Sequence, residues 1–185
     1  MNDINRLREI YGLKSVYRNT TVGERKESSA EHSWSCLLLA DFLLDYVNEK
    51  IDRLRVYELL MYHDLVEVYA GDVVFHPKNI IDKEQKKQVE DSSALLLKNR
   101  LPSSMGSRYL ELYFEYEERK SYEAKFAKVV DILDAMIHQL DNKDDWVDWT
   151  RDFLIKHKLE YFRDFPEIEK LFFDILEYLE EKEYI

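Results

Sequence analysis

Between residues 62 and 72 the chain reads Tyr-His-Asp-Leu-Val-Glu-Val-Tyr-Ala-Gly-Asp, and His63, Asp64, Glu67 and Asp72 within it can each hold a cation or move a proton. A histidine and an aspartate side by side in an otherwise apolar, helix-patterned stretch are costly to bury unless something compensates. A metal cation is the obvious compensation. Glu67 follows His63 by four residues, so on one continuous helix the two share a face. Asp64 would project about 100° away, yet an ion at the rim of that face can take both neighbours. His32 and Asp131, each in its own helix with apolar surroundings, extend the set to two imidazoles and two carboxylates. Such nitrogen and oxygen donors suit one borderline divalent ion, Mn, Co, Fe, Ni or Zn. Helical bundles build metal sites in this way, from side chains on facing helices.

The scaffold that must bring these groups together is 185 residues long, enough for a single domain (1–185) with a real core. Hydrophobic residues at 45% and charged residues at 35% describe a folded rather than a disordered chain. Four glycines and three prolines leave little turn chemistry for a many-stranded sheet, which favours helices. The net charge of -11 argues against a polymeric nucleic-acid partner, which needs clustered Lys and Arg. A small phosphate ligand needs only one or two local cations and stays open. Cys36 is the single cysteine, so no intramolecular disulfide and no Cys-based zinc site is expected. The N-terminal residues lack the apolar run of a signal peptide, and no stretch is long and apolar enough to span a bilayer. The expectation is a soluble cytoplasmic protein without a membrane partner.

Taken in order, Asp3 to about Tyr11 predicts a short helix ended by Gly12. Leu13 to Glu27 reads as an irregular polar segment carrying Lys14, Arg18, Arg25 and Lys26, either a solvated loop or an arm that holds phosphate. Ser28 or Ser29 would cap a long helix to about Glu49, with Leu39, Phe42, Leu43 and Val47 as its apolar stripe. Asp52 would cap a third helix running through Tyr69 to a stop at Gly71. A loop over 73–81 precedes helices over about 82–101, 103–119, 121–140, 144–161 and 166–183. The class is all-α.

The runs Ala30-Glu31-His32-Ser33-Trp34, His63-Asp64-Leu65-Val66-Glu67 with Gly71-Asp72, and Lys128-Val129-Val130-Asp131 resemble the HD-domain metal-dependent phosphohydrolases, and their 5'-deoxynucleotidase branch in particular. The resemblance extends to Val16-Tyr17-Arg18-Asn19, Arg25-Lys26-Glu27-Ser28, Glu115-Tyr116-Glu117 and Glu123-Ala124-Lys125-Phe126. It implies an HD-type helical bundle, a homodimer, and a metal held by His32, His63, Asp64 and Asp131, with water in the remaining positions. It also implies that Glu67 and Asp72 act beside the metal and that Arg18 holds the substrate phosphate. The chemistry is consistent. A divalent ion lowers the pKa of bound water and polarises a phosphoryl oxygen, and one carboxylate can position that water while another protonates the departing 5'-oxygen. An arginine fork matches phosphate in two places. Where some members follow this arginine with tryptophan, this chain has Asn19, as other members do.

The expected activity is removal of the 5'-phosphate from a (deoxy)nucleoside monophosphate. Two rivals are an HD hydrolase for another phosphorylated small molecule and a non-catalytic, metal-stabilised module that senses nucleotides. Trp34 reads as packing, as do Tyr109, Tyr113 and Tyr116. His76 reads as an incidental loop residue, and Asp134, His138 and His157 as structural or exposed.

Overall fold

The computed structural model describes residues 3–48, 50–79 and 81–185. Nine α-helices carry most of them: α1 (Asp3–Arg8), α2 (Ser29–Leu43), α3 (Arg53–Tyr62), α4 (Glu67–Ala70), α5 (Lys83–Arg100), α6 (Ser103–Glu118), α7 (Tyr122–Gln139), α8 (Arg151–Lys158) and α9 (Pro166–Glu181). A hairpin of β1 (Tyr17–Val22) and β2 (Arg25–Ser28) is the one sheet among the described residues, so the all-α reading holds with this addition.

The bundle's centre is the packing of α2, α3 and α7 on one another, with α6 against α3 and α7 and α5 against α6. Cys36, Ala40 and Leu43 of α2, Val56, Leu59 and Leu60 of α3, and Phe126, Val129, Val130 and Leu133 of α7 are buried there. Each full burial of a Leu, Val or Phe is worth about 1.5–3 kcal/mol. Caps fix where these rods start. Ser28 and Glu31 form a capping box on α2, Asp52 accepts from the amides of Leu54 and Arg55, and Ser121 accepts from Ala124. Among the described residues no helix is long and apolar enough to cross a membrane.

Several expected boundaries move. α1 stops at Arg8 and a 3-10 helix continues over Glu9–Ser15, so Gly12 lies inside a helical segment instead of ending one. The expected irregular arm is mostly the hairpin, turned by Gly23 at φ +57°, a conformation that glycine adopts without strain. α2 ends at Leu43; the expected terminus, Glu49, lies outside the described residues. Its buried stripe is His32–Cys36–Ala40–Leu43, while Phe42 and Trp34 point outward, so Trp34 does not pack as expected. The helix expected over 144–161 is broken into a 3-10 turn (Lys143–Trp146), α8 and a second 3-10 turn (Leu159–Phe162), with Asp148 in the left-handed region at φ +70° between the first two.

Candidate active site

α3 regularly buries Val56, Leu59 and Leu60, then loses its α-helical bonding at His63. Leu65 donates to the carbonyl of Tyr62 at 3.1 Å and Glu67 to that of Asp64 at 2.9 Å, three residues back instead of four. His63 and Glu67 therefore do not share the face of one continuous helix, and the helix does not run through to Tyr69. The tightened turn has a chemical effect: it brings Nε2 of His63 to 3.2 Å from Oδ1 of Asp64, its own neighbour. Gly71, at φ +74°, then ends α4 and leads into Asp72.

α2 and α7 complete the arrangement. His32 is fully buried on the inner stripe of α2. Its Nε2 lies 3.0 Å from Oδ1 of Asp131 and 3.9 Å from Oδ2 of Asp64. The rings of His32 and His63 stand edge to face, 5.4 Å between centroids. The four residues expected to hold a cation thus come together from α2, the end of α3, and α7.

Their hydrogen bonds fit that role. Nδ1 of His63 is 2.7 Å from the carbonyl oxygen of Leu60, which only accepts, so Nδ1 carries a proton and, in the neutral ring, Nε2 is a lone pair. This buried Nε2 has no hydrogen-bond partner. It faces a carboxylate oxygen at 3.2 Å, and two such acceptors need a proton or a metal cation between or beside them. Nδ1 of His32 is likewise engaged, 2.7 Å from Oδ2 of Asp134, which leaves its Nε2 toward Asp131. Oδ2 of Asp131 accepts from Tyr116 and from Lys128, each at 2.7 Å, so Oδ1 is the oxygen turned to the histidines. Burial works against the charge on Asp131, but Lys128 and His32 outweigh it and hold the carboxyl well below its usual range. Cys36 is fully buried against the His32 ring at 3.6 Å, where burial pushes its thiol up to about 12, and its sulfur lies close enough to His32 and His63 to share an ion with them.

Arg18 reaches this cluster from β1, where a register irregularity between Tyr17 and Thr21 bends the strand. Its guanidinium lies 3.4 Å from Asp64 and 3.3 Å from Glu27. Glu27 is buried and also accepts from Thr20 at 2.7 Å and meets Nδ1 of His138 at 3.1 Å. Thr21 binds Asp145 through both its amide and its hydroxyl at 2.8 Å, fixing the hairpin to the segment after α7. The other basic residues of the expected arm turn away: Arg25 pairs with Glu31 in the open, and Lys26 with Asp145 at 3.8 Å.

Two further carboxyls border the cluster. Oε2 of Glu67 is buried without a hydrogen-bond partner, and burial, then Asp64 and Asp72, push this carboxyl up to about 9. Burial also raises Asp72, against the pull of Arg18. His76 instead contacts the carbonyl of Val147 at 3.1 Å and the ring of Trp149.

Sequence reasoning missed five residues. Asp134 and His138 are not bystanders, and Tyr116 does more than pack; Glu27 and Lys128 escaped notice as site residues. For Asp134 and Lys128 a signal existed, since each lies three positions from Asp131 on one helix. Glu27 and His138 meet only through tertiary folding.

The HD domain family model matches residues 10–169, most of the chain, and the protein belongs to that family. The human protein named 5'-deoxynucleotidase HDDC2 is 30% identical over 129 residues, which cover 70% of this chain and 59% of that one. The Dictyostelium discoideum protein of the same name is 28% identical over 148 residues, 71% of this chain and 77% of that one. The chain thus spans about three fifths of the length of the human relative. Among solved structures, the one described as a predicted metal-dependent phosphohydrolase from Magnetospirillum magnetotacticum MS-1 superposes with a TM-score of 0.87 at 28% identity, covering 98% of this chain and 93% of that one.

Proposed function

We propose that the chain is a divalent-metal-dependent phosphomonoesterase that removes the 5'-phosphate from (deoxy)nucleoside monophosphates. The observation that carries this reading is the unpartnered Nε2 of buried His63 facing Asp64, with Arg18 beside the same carboxylate. His32, His63, Asp64 and Asp131 would hold the ion, one of Mn, Co, Fe, Ni or Zn by its nitrogen and oxygen donors. When bound, the ion supplies a water acidic enough to attack phosphorus and withdraws charge from the phosphoryl oxygens.

The chain's own residues do the rest. Arg18, steadied by Glu27, offers a fixed fork to the phosphate and offsets charge that develops on it. Glu67 and Asp72 are the two carboxyls that border the cluster, and each can take up or release a proton during the reaction. We assign Glu67 to the attacking water and Asp72 to the departing 5'-oxygen. The names of the human and Dictyostelium relatives support a nucleotide substrate. A cytoplasmic homodimer belongs to the same reading, and light scattering tests the dimer.

The deciding assay is phosphate release from a panel of mononucleotides with Mn or Co, with EDTA and Asp64→Ala as controls. Turnover that both controls abolish supports the proposal. Turnover confined to other phosphate esters, or none with the metal tightly retained, overturns it.

A further inference from the structure

Lys158, the last residue of α8, is placed unlike its basic neighbours in the fold. Lys125 and Lys128 each pair with a carboxylate, at 2.8 and 2.7 Å, whereas Lys158 has no ion-pair partner among the described residues. Its Nζ lies instead over two aromatic rings, 5.6 Å from the centre of Phe75 and 5.9 Å from that of Trp149. Phe75 stands three residues after Asp72, in the segment that leaves the site, and its ring also packs on Trp149, Phe153 and His157. This aromatic cluster fixes the end of α8, with its ammonium, against the segment that carries Asp72.

The charges that reach this ammonium are those of the site. Burial pushes it down to about 8; Asp131 opposes that shift, while Lys128 and Arg18 add to it. A lysine held over two rings, with no carboxylate partner among the described residues and within reach of the charge of two other cations, is placed to receive an anion. Rings alone satisfy it only in part, since a cation–π contact replaces one face of its hydration.

We propose that Lys158 is a second phosphate-holding residue, reaching the substrate from α8 as Arg18 does from β1. The ligand class is a phosphate monoester dianion or free inorganic phosphate. Arg18 supplies a planar fork and Lys158 a compact charge with three movable donors, so the two grip different oxygens. Phe75 and Trp149 hold the lysine stem and couple its position to the segment after Asp72. The inference rests on the proposed function for its ligand but not for its test.

The test is a calorimetric titration of inorganic phosphate into the Mn-loaded full chain, stripped of free metal, for wild type, Lys158→Met and Lys158→Arg. Methionine keeps an apolar stem on the two rings, and arginine keeps the charge. The expected result is a phosphate Kd raised about tenfold or more in Lys158→Met and by no more than about threefold in Lys158→Arg, with metal content and Tm unchanged. A Met variant that binds phosphate as wild type does overturns the inference. So does equal loss in both variants with a lowered Tm, which marks a packing role. Lys158-dependent phosphate binding in a protein that cleaves no ester would sink the proposed function and leave this inference standing. Mononucleotide turnover with an unchanged KM and phosphate Kd in Lys158→Met would do the reverse.

Discussion

Nδ1 of His32 lies 2.7 Å from Oδ2 of Asp134, and Ser35 donates its hydroxyl to that same oxygen at 2.8 Å. Asp134 therefore fixes both the tilt of the imidazole and the nitrogen left free toward Asp131. If His32 holds the proposed ion, a group that orients it in this way matters by about 10–100-fold in metal affinity. Asp134→Ala is expected to weaken binding of the activating ion within that range, read by competition with a chromogenic chelator. Unchanged affinity would contradict the orienting role.

Glu67 offers a separation of binding from chemistry. Its Oε2 is buried without a hydrogen-bond partner. Glu67→Gln keeps the volume and removes the exchangeable proton, so kcat is expected to fall about 10²–10⁴-fold while metal content stays at the wild-type level. Stoichiometric metal with near-normal turnover would remove Glu67 from the catalytic machinery.

At the start of α2, the Ser28 hydroxyl accepts from the Glu31 amide at 3.3 Å while Glu31 accepts from the Ser28 amide at 2.9 Å and pairs with Arg25. Ser28→Ala is expected to cost about 1 kcal/mol, measured by urea unfolding. The Glu31 carboxyl is lowered to about 2, first by its hydrogen bond to Arg25 and then by Ser28. A lowered carboxyl stabilises the fold above its unfolded pKa and loses that contribution as pH falls through the folded value. The stability gap between wild type and Glu31→Gln is thus expected to narrow from about pH 4.5 downward. Because Glu31 is 42% exposed and solvent screens the pair, the gap itself is expected to be small. A gap that widens in acid would contradict this account.

Gly106 lies where α6 crosses the end of α5. A Cβ there would run into the backbone carbonyl of Lys98, which cannot yield as a flexible side chain would. Gly106→Ala is expected to destabilise by about 1–3 kcal/mol through overpacking, against the helical preference of alanine. Differential scanning calorimetry checks it, and a raised Tm would show that the crossing has slack.

The helices were legible where burial follows a regular period. The stripe Phe126, Val129, Val130 and Leu133 in α7 reads directly from the sequence, as do the caps Asp52 and Ser121. The turn at His63 was not legible, because residues 63–70 keep a helix-compatible pattern while their bonding tightens to partners three residues back. The hairpin was obscured by its polarity: Tyr17 and Arg25 face solvent, and the strands are held by Asp145 from far along the chain. The same distance hid Glu27 and His138. Position in a motif picks out His32, His63, Asp64 and Asp131, but a group that merely braces them is visible only when the helices are assembled.

His32 and Asp131 are 99 positions apart in the chain yet meet at 3.0 Å, with Asp64 and His63 brought in from a third segment. A dication gripped there would behave as a removable rivet through the whole bundle. Because the unfolded chain cannot reproduce the grip, each tenfold excess of free ion over its Kd adds about 1.4 kcal/mol to the folded state. Metal scarcity would then cost the molecule its endurance as well as its turnover.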